Sequence, residues 1–212
     1  KIPFKIICGK NRNILVYYRL YSIYFMKDGA LMDKTLEDLQ KEMIVEVKKG
    51  FPILLSGAVV FLLFTLMPLV LPIEAVRLSW IFGLGAIFPI GLGISKILGI
   101  NLNATGNPLG KLGGIVAAPQ AFYIPVFIIV YMNIPEYLPF TIGLLAGSHF
   151  LPYIWIYKSK AYLFVTLGVC FSALILGGFF VDQAFTLVPL AISIVYGMGV
   201  LLILRELKVN PI

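Results

Sequence analysis

Six stretches of the chain are apolar for about the thickness of a lipid bilayer and contain no Asp, Glu, Lys or Arg. They are Phe51–Leu71, Leu78–Ser95, Gly113–Met132, Leu138–Tyr157, Ala161–Val181 and Ala184–Leu204. A helix needs about 20 such residues to cross the hydrocarbon core, where every backbone N–H and C=O must be bonded within the segment itself. The pattern predicts an all-α, polytopic integral membrane protein, a bundle of six transmembrane helices. A β-barrel is excluded, because its strands alternate apolar and polar residues whereas these runs are continuous. The charge content agrees: 13% of residues are charged, against about a quarter in a soluble domain.

Basic residues in short loops orient the bundle. Lys96, Lys111, Lys158, Lys160, Arg205 and Lys208 fall on one side, and Arg77 falls on the other with Glu74, Glu136 and Asp182. Six against one places both termini in the cytoplasm. The net charge of +7 would suit nucleic acid only if the basic residues clustered on a folded polar face. They sit between apolar stretches instead, so the bilayer is the expected partner and nucleic acid is not. The connections at 133–137, 158–160 and 182–183 are too short to hold a soluble catalytic domain.

The first fifty residues divide in two. Thr35–Lys49 reads as a cytoplasmic amphipathic helix within a segment 32–50, with Leu36, Leu39, Met43 and Val47 on one face. Thr35 and Asp38 fit a capping box, and Glu37 with Lys41 forms an i,i+4 pair in the favourable order. Such a helix either lies on the membrane surface or packs on its own bundle. Residues 1–31 begin without Met, and their apolar part, Ile14–Phe25, is interrupted by Arg19 and too short to span. No small-residue cleavage site follows, so they do not make a signal peptide. The expectation is that translation begins at Met32 or Met26, since codons for Gly29-Ala30 can encode a GGAG ribosome-binding sequence. Residues 207–212 form a short cytoplasmic tail after a transmembrane domain of 51–206.

Catalytic and ligand motifs fail on inspection. "GNPLGKLGG" (106–114) has three residues where a phosphate-binding loop needs four, and Leu112 follows the lysine instead of Ser or Thr. A Gly-Ser pair in a six-span chain invites comparison with rhomboid-type serine proteases. Here, however, the one histidine directly follows Ser148, and adjacent helical residues point about 100° apart. A single histidine cannot supply the HExxH pair of a zinc protease. Cys8 and Cys170 form no disulfide framework. No enzyme, metal site or cofactor is expected.

Small and polar residues inside the spans remain. Gly91, Ser95 and Gly99 share one stripe, Gly143 and Gly147 make a GxxxG, and Gly168 with Ser172 repeats the spacing. Such residues let helices approach closely, within one chain or in a homo-oligomer. Pro68, Pro89, Pro119, Pro125, Pro152 and Pro189 interrupt the spans, each freeing a backbone carbonyl. Two stretches combine proline with polar side chains, "AAPQAFYIP" (117–125) and "SHFLPY" (148–153). Gln120 and His149 stand nearly equidistant from the turn near Pro135, so an antiparallel hairpin sets them at similar depth. Two readings stand side by side: a Gln–His hydrogen bond tying two helices, or a polar patch of Gln120, Tyr123, Ser148, His149 and Tyr153 lining a pocket for a small solute. No span carries an Asp or Glu of the kind that proton- and sodium-coupled transporters usually place there.

From about Met32 to Glu206, in span number and in "NPLGKLGGIVAAPQ" (107–120), the chain resembles a family of small six-span bacterial integral membrane proteins of unknown function. The resemblance implies the bacterial inner (plasma) membrane and lends no substrate or site residue. Two functions follow from the residues: a permease-like protein for a small neutral or weakly polar solute, or a non-catalytic structural, regulatory or sensor membrane protein acting through a partner.

Overall fold

The computed structural model describes residues 34–209, which are all helix or connecting turn. The expected extension 1–31, its start at Met26 or Met32, and the end of the C-terminal tail lie outside the described residues. Backbone contacts divide the chain into residues 1–38 and 39–212. In the first unit, the Thr35 amide and hydroxyl donate to Asp38 Oδ2 at 3.0 and 2.7 Å, and the Asp38 amide returns to Thr35 Oγ1 at 3.2 Å. This reciprocal box opens helix α1, Leu36–Val47.

The helices that follow are α2 (Phe51–Leu66), α3 (Ile73–Gly83), α4 (Ile87–Ile97), α5 (Pro108–Ala117) and α6 (Gln120–Asn133). After them come α7 (Leu138–Ser148), α8 (Leu151–Ile156), α9 (Lys160–Ser172) and α10 (Ala184–Val209). Among the described residues, five helical stretches are long and apolar enough to cross a membrane: Leu36–Leu69, Ile73–Ile97, Pro108–Asn133, Lys160–Gly177 and Val181–Val209. This is the make-up of a multi-pass membrane protein. The stretch expected at Leu138–Tyr157 is not among the five, because it breaks at His149-Phe150 into pieces of 11 and 6 residues. The cause is Pro152, which has no N–H for the Ser148 carbonyl four residues back and whose ring crowds it. Pro89 acts similarly on Gly85, inside the 3₁₀ turn Leu84–Ala86 that separates α3 from α4. Pro119 stands in the break between α5 and α6. Pro125 and Pro189 stay inside their helices.

Glycine sets how closely the helices pack. A Cβ on Gly143 would lie 2.7 Å from Ala173 Cβ, and one on Gly147 would lie 2.7 Å from Cys170 Sγ, so α7 rests directly on α9. Gly168 faces Val195 of α10, and Gly91 of α4 faces Ile53 and the Ser56 hydroxyl of α2. Ser95 is buried, and the Ser172 hydroxyl donates back to the Gly168 carbonyl at 2.6 Å. Gly99 leaves this set. Its φ is +66° and nothing approaches it. The Gly99 amide donates to Lys96 O and the Ile100 amide to Ser95 O, which is the left-handed Schellman stop of α4. After α9 the helix widens into a π turn, Ala173–Gly177. It brings Gly177 so near α7 that a Cβ would meet Phe140 Cα at 2.8 Å.

Helix α1 buries Gln40, Met43, Ile44 and Val47. That stripe is rotated from the one that spacing alone predicts, because Gln40 is used as well: its Nε2 donates to the Trp155 carbonyl at the end of α8 (3.0 Å). Between α1 and α2 the chain turns through a left-handed elbow, with φ of 49° at Lys48, 54° at Lys49 and 69° at Gly50. Left-handed backbone costs a non-glycine residue about 1–2 kcal/mol. Side-chain contacts offset that cost. Lys49 is buried, with Nζ 2.7 Å from Glu206 Oε2 near the end of α10. The same carboxylate accepts from Ser159 Oγ at 2.6 Å and the Ala161 amide at 3.0 Å. The Lys49 carbonyl accepts the Tyr162 hydroxyl at 2.6 Å.

The elbow predicts a pair of variants. Lys49→Ala, which removes the ion pair and keeps the strain, is expected to lower unfolding free energy in mild detergent by about 2–3 kcal/mol. Lys49→Gly loses the same pair but relaxes the backbone, and should recover about 1 kcal/mol of that loss. Equal stabilities would show that position 49 holds no strain.

Candidate functional site

The three helix breaks converge. Leu84 and Gly85 from the α3–α4 turn, Ala117 and Gln120 from either side of Pro119, and His149 with Phe150 all line one cavity of about 630 Å³. Interrupted backbone inside an apolar medium leaves carbonyls without their usual donors, and it is tolerated where it lines a cavity. The volume falls in the range of small-molecule sites.

Of the five polar residues singled out by sequence, Gln120, Tyr123, His149 and Tyr153 line this space. Ser148 does not: its hydroxyl donates to the Leu145 carbonyl of its own helix at 3.0 Å. Gln120 is exposed and makes no hydrogen bond among the described residues, so it does not tie to His149. His149 instead sets its Nδ1 against the Ala146 carbonyl, one turn back. Its ring lies against Phe150 (centroids 3.9 Å apart) and edge-on to Tyr153 (6.4 Å).

Three tyrosines that sequence reasoning passed over complete the wall. Tyr157 stacks on Tyr153 at 5.6 Å, and Tyr162 of α9 packs against both at 5.5 and 5.8 Å. Tyr196 of α10 meets Phe150 and Phe61 edge-on at 5.6 and 5.7 Å. Its ring fits because Gly57 of α2 has no side chain: a Cβ there would come within 2.8 Å of it. Two hydroxyls bridge elements. Tyr153 donates to the Gly113 carbonyl of α5 at 3.0 Å, and Tyr162 donates to the elbow at Lys49. The i,i+4 pair Tyr153/Tyr157 was visible in the sequence as one aromatic face, but Tyr162 and Tyr196 join it only through helix packing.

No Asp, Glu, Lys or Arg among the described residues lines the cavity. Among the described residues no group of three His, Cys, Asp or Glu side chains comes together. The arrangement can enclose a small molecule and offer it aromatic faces and a few hydrogen bonds.

A family model of unknown function, DUF7010, matches residues 36–206. The chain belongs to that family. No curated protein and no solved structure matches it. The DUF7010 match takes in every residue of the cavity wall, from Met43 to Tyr196.

The bridge from Tyr153 is open to test in this DUF7010 chain. Tyr153→Phe keeps the aromatic stack and deletes the bond to Gly113, at an expected cost of about 1 kcal/mol. Hydrogen exchange read by mass spectrometry should then speed up across residues 108–117 while 138–148 stays protected. Unchanged exchange at 108–117 would mean that the bridge does not anchor α5.

Proposed function

We propose that this protein is a six-span permease of the bacterial inner membrane that admits a small neutral or weakly polar solute to the cavity at Gln120, Tyr123, His149 and Tyr153. The observation that carries the reading is the convergence of three broken helices on one cavity. Discontinuous helices meeting near mid-membrane are a recurring way to build a solute site in transporters. In this reading α7 and α8 cross together as one broken span, giving six crossings over residues 51–206. The segment 32–50 and the tail 207–212 then share the cytoplasmic side with the six basic residues at the loop ends. The close glycine contacts lie within the chain, so the proposal needs no second copy. It involves no covalent step and no cofactor.

The alternative, a regulatory or sensor protein working through a free amphipathic helix, is less well supported. The face of α1 at Gln40, Met43, Ile44 and Val47 is buried within the protein and held by the Gln40–Trp155 bond.

The deciding measurement is uptake by proteoliposomes. Labelled uncharged solutes of differing polarity should enter vesicles holding the wild-type protein faster than empty ones. His149→Leu should cut the rate of the transported solute about tenfold or more, as expected when a buried polar contact is lost. Equal rates for wild type and a folded His149→Leu would remove His149 from the pathway, and no transport across the panel would overturn the permease reading.

A further inference from the structure

Beside His149 the polar groups of the cavity wall are acceptors. The Ala146 carbonyl beside His149 Nδ1 can only accept, so Nδ1 carries the proton and the neutral ring leaves Nε2 as an acceptor. The Tyr153 and Tyr162 hydroxyl protons are already given to the Gly113 and Lys49 carbonyls, so these oxygens too have only lone pairs to offer. No hydrogen bond from Nε2 is present among the described residues. Nine Phe and Tyr rings line the cavity, and no lining side chain among the described residues is charged. An ion entering such a space would lose its hydration with no counter-charge to replace it. Flat apolar surface, by contrast, stacks well on aromatic walls.

We infer that the cavity selects an uncharged amphiphile with a flat apolar body and a hydroxyl or N–H donor, and that His149 Nε2 accepts from that donor. The inference rests on the reading of the cavity as a solute site and adds the ligand's charge and hydrogen-bond polarity. The acceptor at His149 also sets how such a molecule lies: donor toward the broken end of α7, rings toward Tyr123 and Phe127 of α6.

A matched naphthalene series tests this with the full chain in lipid nanodiscs, empty nanodiscs serving as the partition control. The probes are 1-naphthol (neutral donor), 1-methoxynaphthalene (neutral, no donor), 1-naphthoate (anion) and 1-naphthylmethylammonium (cation with donors). Binding is read from naphthalene fluorescence. Naphthol should bind saturably and about tenfold tighter than the methyl ether, with both ions weaker still. In His149→Leu that preference should vanish. The ordering within the wild type needs no variant, so it decides the matter even if His149→Leu does not fold. Equal binding of naphthol and its methyl ether, or tighter binding of either ion, would overturn the inference while leaving the cavity a binding site. A folded His149→Leu that keeps the preference would overturn the assignment to Nε2. Saturable binding of none of the four would overturn both the inference and the site beneath it.

Discussion

Inside a bilayer no water waits for a backbone carbonyl that has lost its donor, and that constraint organises this fold. Pro89, Pro119 and Pro152 each withdraw a donor in the middle of an apolar stretch. Scattered over the lipid-facing surface, three such breaks would each cost several kcal/mol. Instead the three breaks gather on one cavity, where Gly85, Ala117, Gln120, His149 and Phe150 meet a space wide enough for water or a solute. At Pro89 the freed carbonyl, that of Gly85, belongs to a residue of the cavity wall, whereas Ile115 and Ser148 lie outside it. The comparison with Pro125 and Pro189 shows that a proline is not sufficient by itself, since both lie inside unbroken helices.

A second constraint works where α1 meets α2. A helix lying against the bundle must reverse into a spanning helix within three residues, and the left-handed run Lys48–Gly50 achieves this with strain at two lysines. That strain persists because neighbours hold every available group of Lys49: its ammonium by Glu206, its carbonyl by Tyr162. Glu206 is in turn fixed by Ser159 and the Ala161 amide. The start of α2, the start of α9 and the end of α10 thus meet at one carboxylate. Tyr162 belongs both to this knot and to the cavity wall, and Gly50 of the elbow lines the cavity directly, so the elbow's geometry reaches the candidate site through both.

Helix positions were readable because hydrocarbon leaves the backbone one solution, and the Thr35–Asp38 box was readable because its chemistry is local. Breaks were harder. Counting apolar residues runs straight through His149-Phe150, and only the missing N–H of Pro152 marks the interruption. Gly99 looked like one more small residue at four-residue spacing, but α4 had already ended at Ile97 and the glycine serves the turn. Polarity in an apolar run picked out five residues, of which Gln120, Tyr123, His149 and Tyr153 line the cavity. Ser148 lies outside that lining and, as a helical serine can, bonds its own backbone. Tyr162 and Tyr196 were out of reach for another reason: they belong to the site through α9 and α10, and no spacing in the sequence relates those helices to α8.

Packing is uneven around the cavity. Helices α2, α7, α9 and α10 close on one another through Gly57, Gly143, Gly147, Gly168 and Gly199, positions where even a methyl group would collide. The stretches on the other side are looser: 17% of the apolar part of Ile73–Ile97 and 11% of that of Pro108–Asn133 are buried, against 39% for Lys160–Gly177. Interdigitated cores resist small displacements, because each contact sits at the bottom of a steep well. Of the looser stretches, Ile73–Ile97 is still fastened to α2 at Gly91 and by the Ser56–Ile87 bond, whereas Pro108–Asn133 is tied through the Tyr153–Gly113 and Asn107–Leu39 bonds. The glycine-packed helices thus carry His149, Tyr162 and Tyr196 as the tightly packed face of the site, and α5 and α6 form its more loosely packed face.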